Sequence, residues 1–580
     1  MSGPPAARPG AIGPVELELF THRLAAVAWE MGELLRRTAV SVNVKERLDF
    51  SCAVLDPDGR LVVNAPHIPV HLGALGPCVR RVREAMALAP GDAVVTNHPA
   101  FGGSHLPDVT VISPVYGEPG GGAGAAPPLL GYVASRAHHA EIGGTRPGSM
   151  PPDARRLADE GVVIPPVKLL DRGRARWDAV RALLAGGPWP SRAVEENLTD
   201  LAAALAANRR GAAALAALAA VHGRDLLARA MAAIGERAAA KLSAALAARP
   251  DGRLAARERL DDGTPLAVAI EIAGGRARID FTGSGAVHPG NLNAPPAVAR
   301  SAVLYCLRLL VDEPLPLNEG LLAPVELVLP EGILNPPFPD DPAEAPAVVG
   351  GNVETSQRLV DTILRALGLA ACSQGTMNNV LFGNDRFGYY ETVCGGTGAG
   401  PEFDGADAVH SHMTNTRITD PEVLERRYPV RLRRFAIRRG SGGAGRRRGG
   451  DGAVREIEFL EPVEVSVLTQ HRVEAPYGMA GGKPGARGRQ RLIRAGGEEI
   501  ELASIDGCSA GPGDRLVVET PGGGGWGAPG GPVAEPDDST GIAAEPETVG
   551  RAATRAAGER EPAAAGAEPK AAAGQVEGAR

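Results

Sequence analysis

The sequence is poor in aromatic residues and lacks any apolar run long enough to cross a membrane. Phe, Trp and Tyr make up 4% of the 580 residues, and no run approaches the roughly 20 apolar residues that a spanning helix needs. Residues 1–14 also lack the basic-then-apolar order of a signal peptide. We therefore expect a soluble cytoplasmic protein that does not engage a membrane.

Cysteine and positive charge are scarce as well. The six cysteines form no CxxC pair and are too widely spread for a secreted disulfide scaffold, so we expect reduced thiols. The net charge is −7 and the pI is near 6.0. A nucleic-acid-binding surface is usually basic, and the only basic cluster, at residues 446–448, lies among glycines. We expect no nucleic-acid partner.

Two catalytic motifs are missing. There is no G-x-x-x-x-G-K-[ST] loop, which argues against a P-loop ATPase, and no G-x-S-x-G elbow, which argues against a serine hydrolase of that type. Glycine-rich stretches at residues 395–400 and 440–443 offer backbone N–H groups that can cradle an anion. In a chain with 76 glycines and 50 prolines we interpret them as turns instead.

Hydrophobic periodicity predicts an α+β, multi-domain protein with β-rich mixed sheets, an Ala-rich helical middle segment and a disordered C-terminal tail. The expected parts are a β-rich region over 1–196, a helical segment over 197–252, an α+β region over 253–527 and a low-complexity tail over 528–580. The tail has almost no large apolar residue, so burial cannot offset the entropy of ordering it.

Within these parts the pattern predicts individual elements. Helices are expected at residues 15–37, 197–249 (one or more), 297–311 and 356–367. Strands are expected at residues 50–55, 61–63, 93–96, 109–115, 129–135, 266–272 and 276–281, and the final third also looks β-rich. An Asp-Gly turn joins the first two strands into a hairpin.

Two histidine clusters are candidates for chemistry. His105 and Asp108 stand three apart at a Pro-containing turn, where an imidazole and a carboxylate can point to one divalent ion. By itself this pair is a weak signal. His138 and His139 end an apolar strand, and neighbouring strand residues face opposite sides, so only one of them can join such a site. The other can orient the first or bind substrate.

Further candidates lie nearby in sequence. Asp49, between Leu48 and Phe50, is expected to be partly buried, and a buried carboxylate needs a partner or a metal. His67 and His71 add imidazoles, for which packing and turn hydrogen bonding are favoured over ligation.

The chain resembles the hydantoinase B family, equivalently the C-terminal half of ATP-dependent 5-oxoprolinases, over about residues 15–527. It is similar at a greater distance to the metal-carrying subunits of acetone- and acetophenone-type carboxylases. The resemblance depends on segments that occur in one order, at residues 46–51, 67–73, 103–110, 136–139, 143–144, 147–151, 350–358, 375–379, 412–417 and 520–527.

This resemblance implies a metal site made of Asp49, His105, Asp108 and His138, with Zn, Mn or Fe as the ion. His138 is preferred because the family ligand is the first histidine of the pair, which leaves His139 for a role in catalysis or orientation. The family usually has Asn-Asp-Pro where this chain has Asn97-His98-Pro99. The resemblance therefore suggests that His98 adds an imidazole near the site and affects substrate preference or metal choice.

The resemblance also implies a function shared between subunits. A hydantoinase A-type partner would use ATP to phosphorylate a lactam such as hydantoin or 5-oxoproline, and this chain would direct water at the activated carbon in a hetero-oligomer. A bound metal lowers the pKa of water to about 7 and polarises the oxygen under attack. Two alternatives stay open at this point: a component of an ATP-dependent acetone- or acetophenone-type carboxylase, and a scaffold without activity.

Overall fold

The computed structural model describes residues 12–64, 68–119 and 126–530. These residues combine helices with four β-sheets, so the predicted α+β class is confirmed. His67 and residues 531–580, most of the predicted tail, lie outside the described residues.

The strands are numbered in chain order. The first eleven are β1 Phe50–Leu55, β2 Leu61–Asn64, β3 Ala93–Thr96, β4 Asp108–Tyr116, β5 Leu129–His138, β6 Val167–Asp171, β7 Arg174–Ala175, β8 Gly252–Arg259, β9 Pro265–Ala273, β10 Arg276–Asp280 and β11 Val325–Val328. The others are β12 Asn379–Gly383, β13 Gly388–Thr392, β14 Val430–Arg438, β15 Gly452–Phe459, β16 Val463–Leu468, β17 Arg489–Ile493, β18 Glu499–Leu502, β19 Ile505–Ala510 and β20 Arg515–Glu519.

The α-helices are α1 Pro14–Thr38, α2 Val42–Lys45, α3 Leu75–Ala85, α4 Leu157–Glu160, α5 Trp177–Leu184, α6 Val194–His222, α7 Arg224–Ala247, α8 Pro296–Arg308, α9 Ser356–Leu367 and α10 Pro421–Arg427. A π-helical turn, Gly351–Thr355, leads directly into α9. The Ala-rich segment, predicted to form one or more helices, forms two that meet at Gly223, whose φ of +83° suits glycine and not a helical residue.

The sheets have different sizes and topologies. The largest has the order β2-β1-β5-β4-β3-β6-β7, with every neighbouring pair antiparallel. A second has the order β11-β10-β9-β8, with one parallel pair between β10 and β11. The two C-terminal sheets have the orders β13-β12-β16-β19 and β14-β15-β20-β17-β18.

The largest sheet brings three distant chain segments to one edge. β1 and β4 begin at this edge and β5 ends there, with Asp108 paired to His138 and Phe50 paired to Ala137. The His138 amide donates to the carbonyl of Asp49 at 3.0 Å. Because adjacent antiparallel strands start and stop at the same edge, residues 49, 108 and 138 lie side by side.

The hydrophobic clusters extend across the predicted domain boundaries. One cluster joins buried residues of α1 and the largest sheet to α6 and the first half of α7. Another joins Ile68, Val70 and Met150 to the second half of α7, the β8–β10 sheet, α8 and α9. The boundaries at 196/197 and 252/253 therefore stay predictions.

Many C-terminal glycines pack backbone against backbone, which goes beyond the turns that the sequence suggested. A Cβ on Gly396 would lie 1.9 Å from the Gly450 carbonyl oxygen, and one on Gly523 would lie 1.9 Å from the Thr397 oxygen. Backbone hydrogen bonds link the same segments, including Gly450 N–H to Thr397 O and Gly523 N–H to Gly450 O, each at 2.9 Å. Glycine is required here because no side chain fits between the segments.

Among the described residues, no single helix has the length and apolar composition to cross a membrane. The pair α6 and α7, bent by 113°, meets that test on length and composition only.

Candidate metal centre

Three predicted ligands converge at the edge where β4 begins and β5 ends. His105, Asp108 and His138 are buried, and one potential ligand atom from each lies within 4.8 Å of the others. The His105 Nδ1 atom is 3.2 Å from Asp108 Oδ2, and His138 Nδ1 is 3.5 Å from Asp108 Oδ1. Two imidazoles and a carboxylate form a donor set that suits a divalent transition metal.

The hydrogen bonding of this cluster is incomplete, which provides a test of whether a metal fits. His105 Nδ1 and Nε2, Asp108 Oδ1 and His138 Nε2 are buried, and none has a hydrogen-bond partner within the described residues. The short distances from His105 and His138 to Asp108 therefore do not align an N–H donor with a carboxylate acceptor. Unpaired buried polar atoms are costly. A cation held between them would satisfy these atoms, so the residues fit a metal.

The other carboxylate oxygen of Asp108 is held by protein groups. Asp108 Oδ2 accepts from the Ser104 hydroxyl at 2.5 Å and lies 3.1 Å from His71 Nε2, while His71 Nδ1 lies 3.0 Å from Ser51 Oγ. These contacts hold the Asp108 carboxylate in place and leave its Oδ1 atom free. In many metal sites, residues around the ligands orient them in this way.

For His71 the sequence favoured packing and turn hydrogen bonding over ligation, and in the structure its ring lies at hydrogen-bond distance from Asp108 and Ser51. No feature of the local sequence indicated this contact, since it depends on the approach of the Pro69–His71 turn to β4.

Burial and charge set the protonation of the cluster. Burial alone would raise the pKa of Asp108, but the neighbouring imidazoles of His105 and His71 hold that pKa well below its usual value. Burial lowers the pKa of His138, while the Asp49 carboxylate opposes the shift. An ionised carboxylate and a neutral imidazole are the forms that bind a metal.

Asp49 lies on the wall of the site. Its Oδ2 atom is 3.9 Å from His138 Nδ1, and the side chain is buried beside Asp108 and His138. Asp49, the fourth predicted ligand, thus lies next to the cluster but does not belong to the group of His105, Asp108 and His138.

The two residues predicted to act in catalysis, His139 and His98, do not belong to the group of three converging side chains. His139 points the other way, with Nδ1 3.1 Å from Asn197 Nδ2 of α6, and burial lowers its pKa. His98 caps the turn Pro99–Phe101 by accepting from the Ala100 amide at 3.1 Å, and its ring contacts Phe101. Burial also lowers the pKa of His98. Neither geometry indicates a direct role for these imidazoles.

Sequence reasoning missed several residues around the cluster. The Tyr390 ring stacks on the His138 imidazole, with 4.6 Å between the ring centres. The Arg47 guanidinium lies 4.7 Å from the centre of the Tyr390 ring. A small cavity of about 10 Å³ adjoins the site. It is lined by Asp49, Ile68, Val70, His71, Asp108, His138, Asn352, Val353, Met377, Tyr390, Met413, Thr414 and Thr416. Segments 350–358 and 412–417 belonged to the resemblance, which was the one signal that pointed to them.

Comparison with known proteins places this geometry in a family. The family model for hydantoinase B/oxoprolinase matches residues 13–529. The chain is 45% identical over 543 residues to 5-oxoprolinase 1 of Arabidopsis thaliana, covering 89% of this chain and 42% of that protein. It is 43% identical over 549 residues to the 5-oxoprolinase of Saccharomyces cerevisiae, with the same coverages. The chain thus spans about two fifths of the length of these relatives.

Similar chains of comparable length also occur. A putative D-/L-hydantoinase component from a Pseudomonas species is 29% identical, with 89% of this chain and 90% of that protein covered. The solved structure of an ATP-dependent caprolactamase from Pseudomonas jessenii has a TM-score of 0.80 at 27% identity, covering 89% of this chain and 91% of that one. Acetone carboxylase shares the fold, with a TM-score of 0.77 at 17% identity and coverages of 89% and 76%.

Proposed function

Because the chain belongs to the hydantoinase B/oxoprolinase family, we propose that it is the metal-carrying part of an ATP-dependent enzyme that opens cyclic amides. The observation that carries the proposal is the group of buried, unpaired nitrogen and oxygen atoms on His105, Asp108 and His138. Zn, Mn and Fe all accept such donors. When bound, the ion would supply a water of lowered pKa and polarise the oxygen under attack.

The protein's own residues would prepare this chemistry. Asp108 Oδ1 and the unpaired nitrogens of His105 and His138 would hold the ion, and Ser104 and His71 would keep Asp108 oriented. Asp49 adds a second carboxylate at the cavity wall, where it can support His138 or serve as a further ligand. His139 would fix the end of β5 through Asn197 of α6.

The ATP-dependent step belongs to another part of the enzyme. The chain has no nucleotide motif and spans about two fifths of the 5-oxoprolinases that it resembles. We assign that step to a hydantoinase A-type partner, which would transfer the γ-phosphoryl group of ATP to the amide oxygen. Water then adds to the activated carbon, and the C–N bond breaks as the nitrogen takes a proton, which leaves an acyl phosphate. A second water then releases inorganic phosphate and leaves a carboxylate.

The small volume of this cavity limits what can bind inside it. A volume of about 10 Å³ is close to that of one water molecule, whereas small-molecule pockets usually measure about 300–1,000 Å³. A group the size of the nucleophile fits, and a lactam ring does not. A lactam would therefore bind at the mouth of this cavity or after its lining side chains move apart.

Reconstitution tests this proposal. The purified chain is mixed with a hydantoinase A-type partner and ATP, and ring opening of 5-oxoproline, hydantoin and caprolactam is followed together with phosphate release. We expect turnover with at least one lactam in the mixture and none with either chain alone. Robust turnover by this chain alone would contradict the division of labour, and ATP consumption that requires bicarbonate would identify a carboxylase.

A further inference from the structure

The side chain of Asn352 lines the cavity but has no part in the candidate metal centre described above. Asn352 belongs to the π-helical turn Gly351–Thr355, a rare geometry that is often found at functional sites. The turn packs closely on a neighbouring segment, because a Cβ on Gly351 would lie 1.8 Å from the Asn293 carbonyl oxygen. Residue 352, next to this close approach, is part of the cavity wall.

The side-chain oxygen of Asn352 lacks a hydrogen bond. Asn352 is 3% exposed, and its Oδ1 atom has no partner among the residues that the structure describes. In the same turn Thr355 donates to Leu292 O at 2.7 Å and Glu354 Oε1 accepts from Asn379 Nδ2 at 2.7 Å, while Glu354 Oε2 is also unpaired but does not belong to a cavity-lining residue. A buried acceptor left unpaired costs about 1–3 kcal/mol. The cavity should therefore contain a donor for Asn352.

The size of the cavity selects that donor. About 10 Å³ accepts a group no larger than one water molecule, and a buried water needs two or more polar partners. Asn352 faces this space together with Asp49, Asp108 and His138. Val353, Met377 and Met413 are apolar members of the wall, whereas Tyr390, Thr414 and Thr416 add hydroxyl groups to it.

We propose that Asn352 is a positioning residue whose Oδ1 accepts a hydrogen bond from a water molecule beside the His105–Asp108–His138 cluster. One hydrogen of the water then donates to the Asn352 side-chain oxygen. The lone pairs of the water point away from Asn352. That this water attacks the substrate rests on the proposed function. That an ordered water lies at Asn352 can be tested independently.

The test combines a structure with kinetics. Crystal structures of the metal-loaded protein and of Asn352→Leu are compared at a resolution that shows ordered water. We expect a water within hydrogen-bond distance of Asn352 Oδ1 and no water at that position in the variant. The metal content should be equal in both. In the reconstituted enzyme, kcat of Asn352→Leu should fall about 10- to 100-fold while KM changes little, as for other groups that orient a metal site.

A matched control separates positioning from a general effect of losing a buried asparagine. Asn208 of α6 is also fully buried with an unpaired Oδ1, but it packs on β4, where its Nδ2 donates to Val111 O at 2.9 Å. Asn208→Leu should leave kcat and the cavity water unchanged. An equal loss in both variants, or no water at Asn352 in the wild-type protein, would overturn the proposal. If no lactam is turned over, the proposed function fails while the crystallographic comparison still decides the role of Asn352.

Discussion

At the scale of single residues, one backbone step decides which imidazole faces the candidate site. His138 ends β5 beside Asp108, whereas His139, the next residue, contacts Asn197 on α6. Alternation along the strand sends these rings to opposite sides. The same alternation made it possible to predict from sequence that only one of them can be a ligand, and the resemblance favoured His138.

The pair provides a test of the metal site. His138→Ala removes a nitrogen from the converging group, so the purified variant should lose its metal. His139→Ala should retain the metal, although the amide of Asn197 then loses one contact. Metal content per chain, measured by elemental analysis, separates the two. Loss of metal from His139→Ala alone would reverse the assignment, and full retention in both would exclude this segment from the site.

At the scale of elements, the glycine-rich C-terminal segments form a packed layer. A Cβ on any of three glycines would lie within 2.0 Å of a carbonyl oxygen of another segment. These pairs are Gly523 with Thr397, Gly396 with Gly450, and Gly524 with Tyr477. Hydrogen bonds between segments then replace side-chain packing. Composition reveals the abundance of glycine, but it does not distinguish a set of turns from such a layer.

A substitution in this layer should be much more costly than one in a turn. Gly523→Ala places a methyl group 1.9 Å from the Thr397 oxygen, so the backbone must shift. Overpacking of this kind costs about 1–3 kcal/mol or more in the free energy of unfolding. Gly496→Ala is the matched control, because no atom lies within 4 Å of the added carbon. Chemical denaturation should show a large shift for the first variant only; equal midpoints would contradict the packed layer.

At the scale of the whole molecule, the hydrophobic clusters make the predicted regions interdependent. Buried residues of α6, such as Leu201, Leu205 and Leu215, share a cluster with α1 and the largest sheet. A fragment of residues 1–196 would expose the surface that α6 covers, because that helix lies beyond the predicted boundary.

We therefore expect the fragment 1–196 to show no cooperative thermal unfolding. The control is the chain 1–530, which keeps every described element and should unfold cooperatively with the same metal content as the full chain. Circular dichroism during heating provides the measurement. A sharp transition in the short fragment would show that the boundary at 196/197 separates a domain that folds independently.

Local elements were the part of the fold that could be predicted best. The strand over 93–96 and the helix over 356–367 match β3 and α9, and the helix over 15–37 differs from α1 by one residue at each end. Such elements follow from side-chain periodicity and from breakers at their ends. The predicted Ala-rich region contains two helices because Gly223 adopts a positive φ. β5 extends to His138 because pairing with β4 continues to that residue.

The sequence by itself determined the chemistry that is available: a His-x-x-Asp turn before a strand, two adjacent histidines at a strand end, and no nucleotide motif. Only the tertiary structure decided how these groups meet. His71, Tyr390 and Asn352 come from a turn, a second sheet and a π-helical turn far apart in the chain, yet all three line one cavity. Periodicity encodes which face of an element is apolar. It does not encode which distant faces pack together, and that packing places these residues around the cluster.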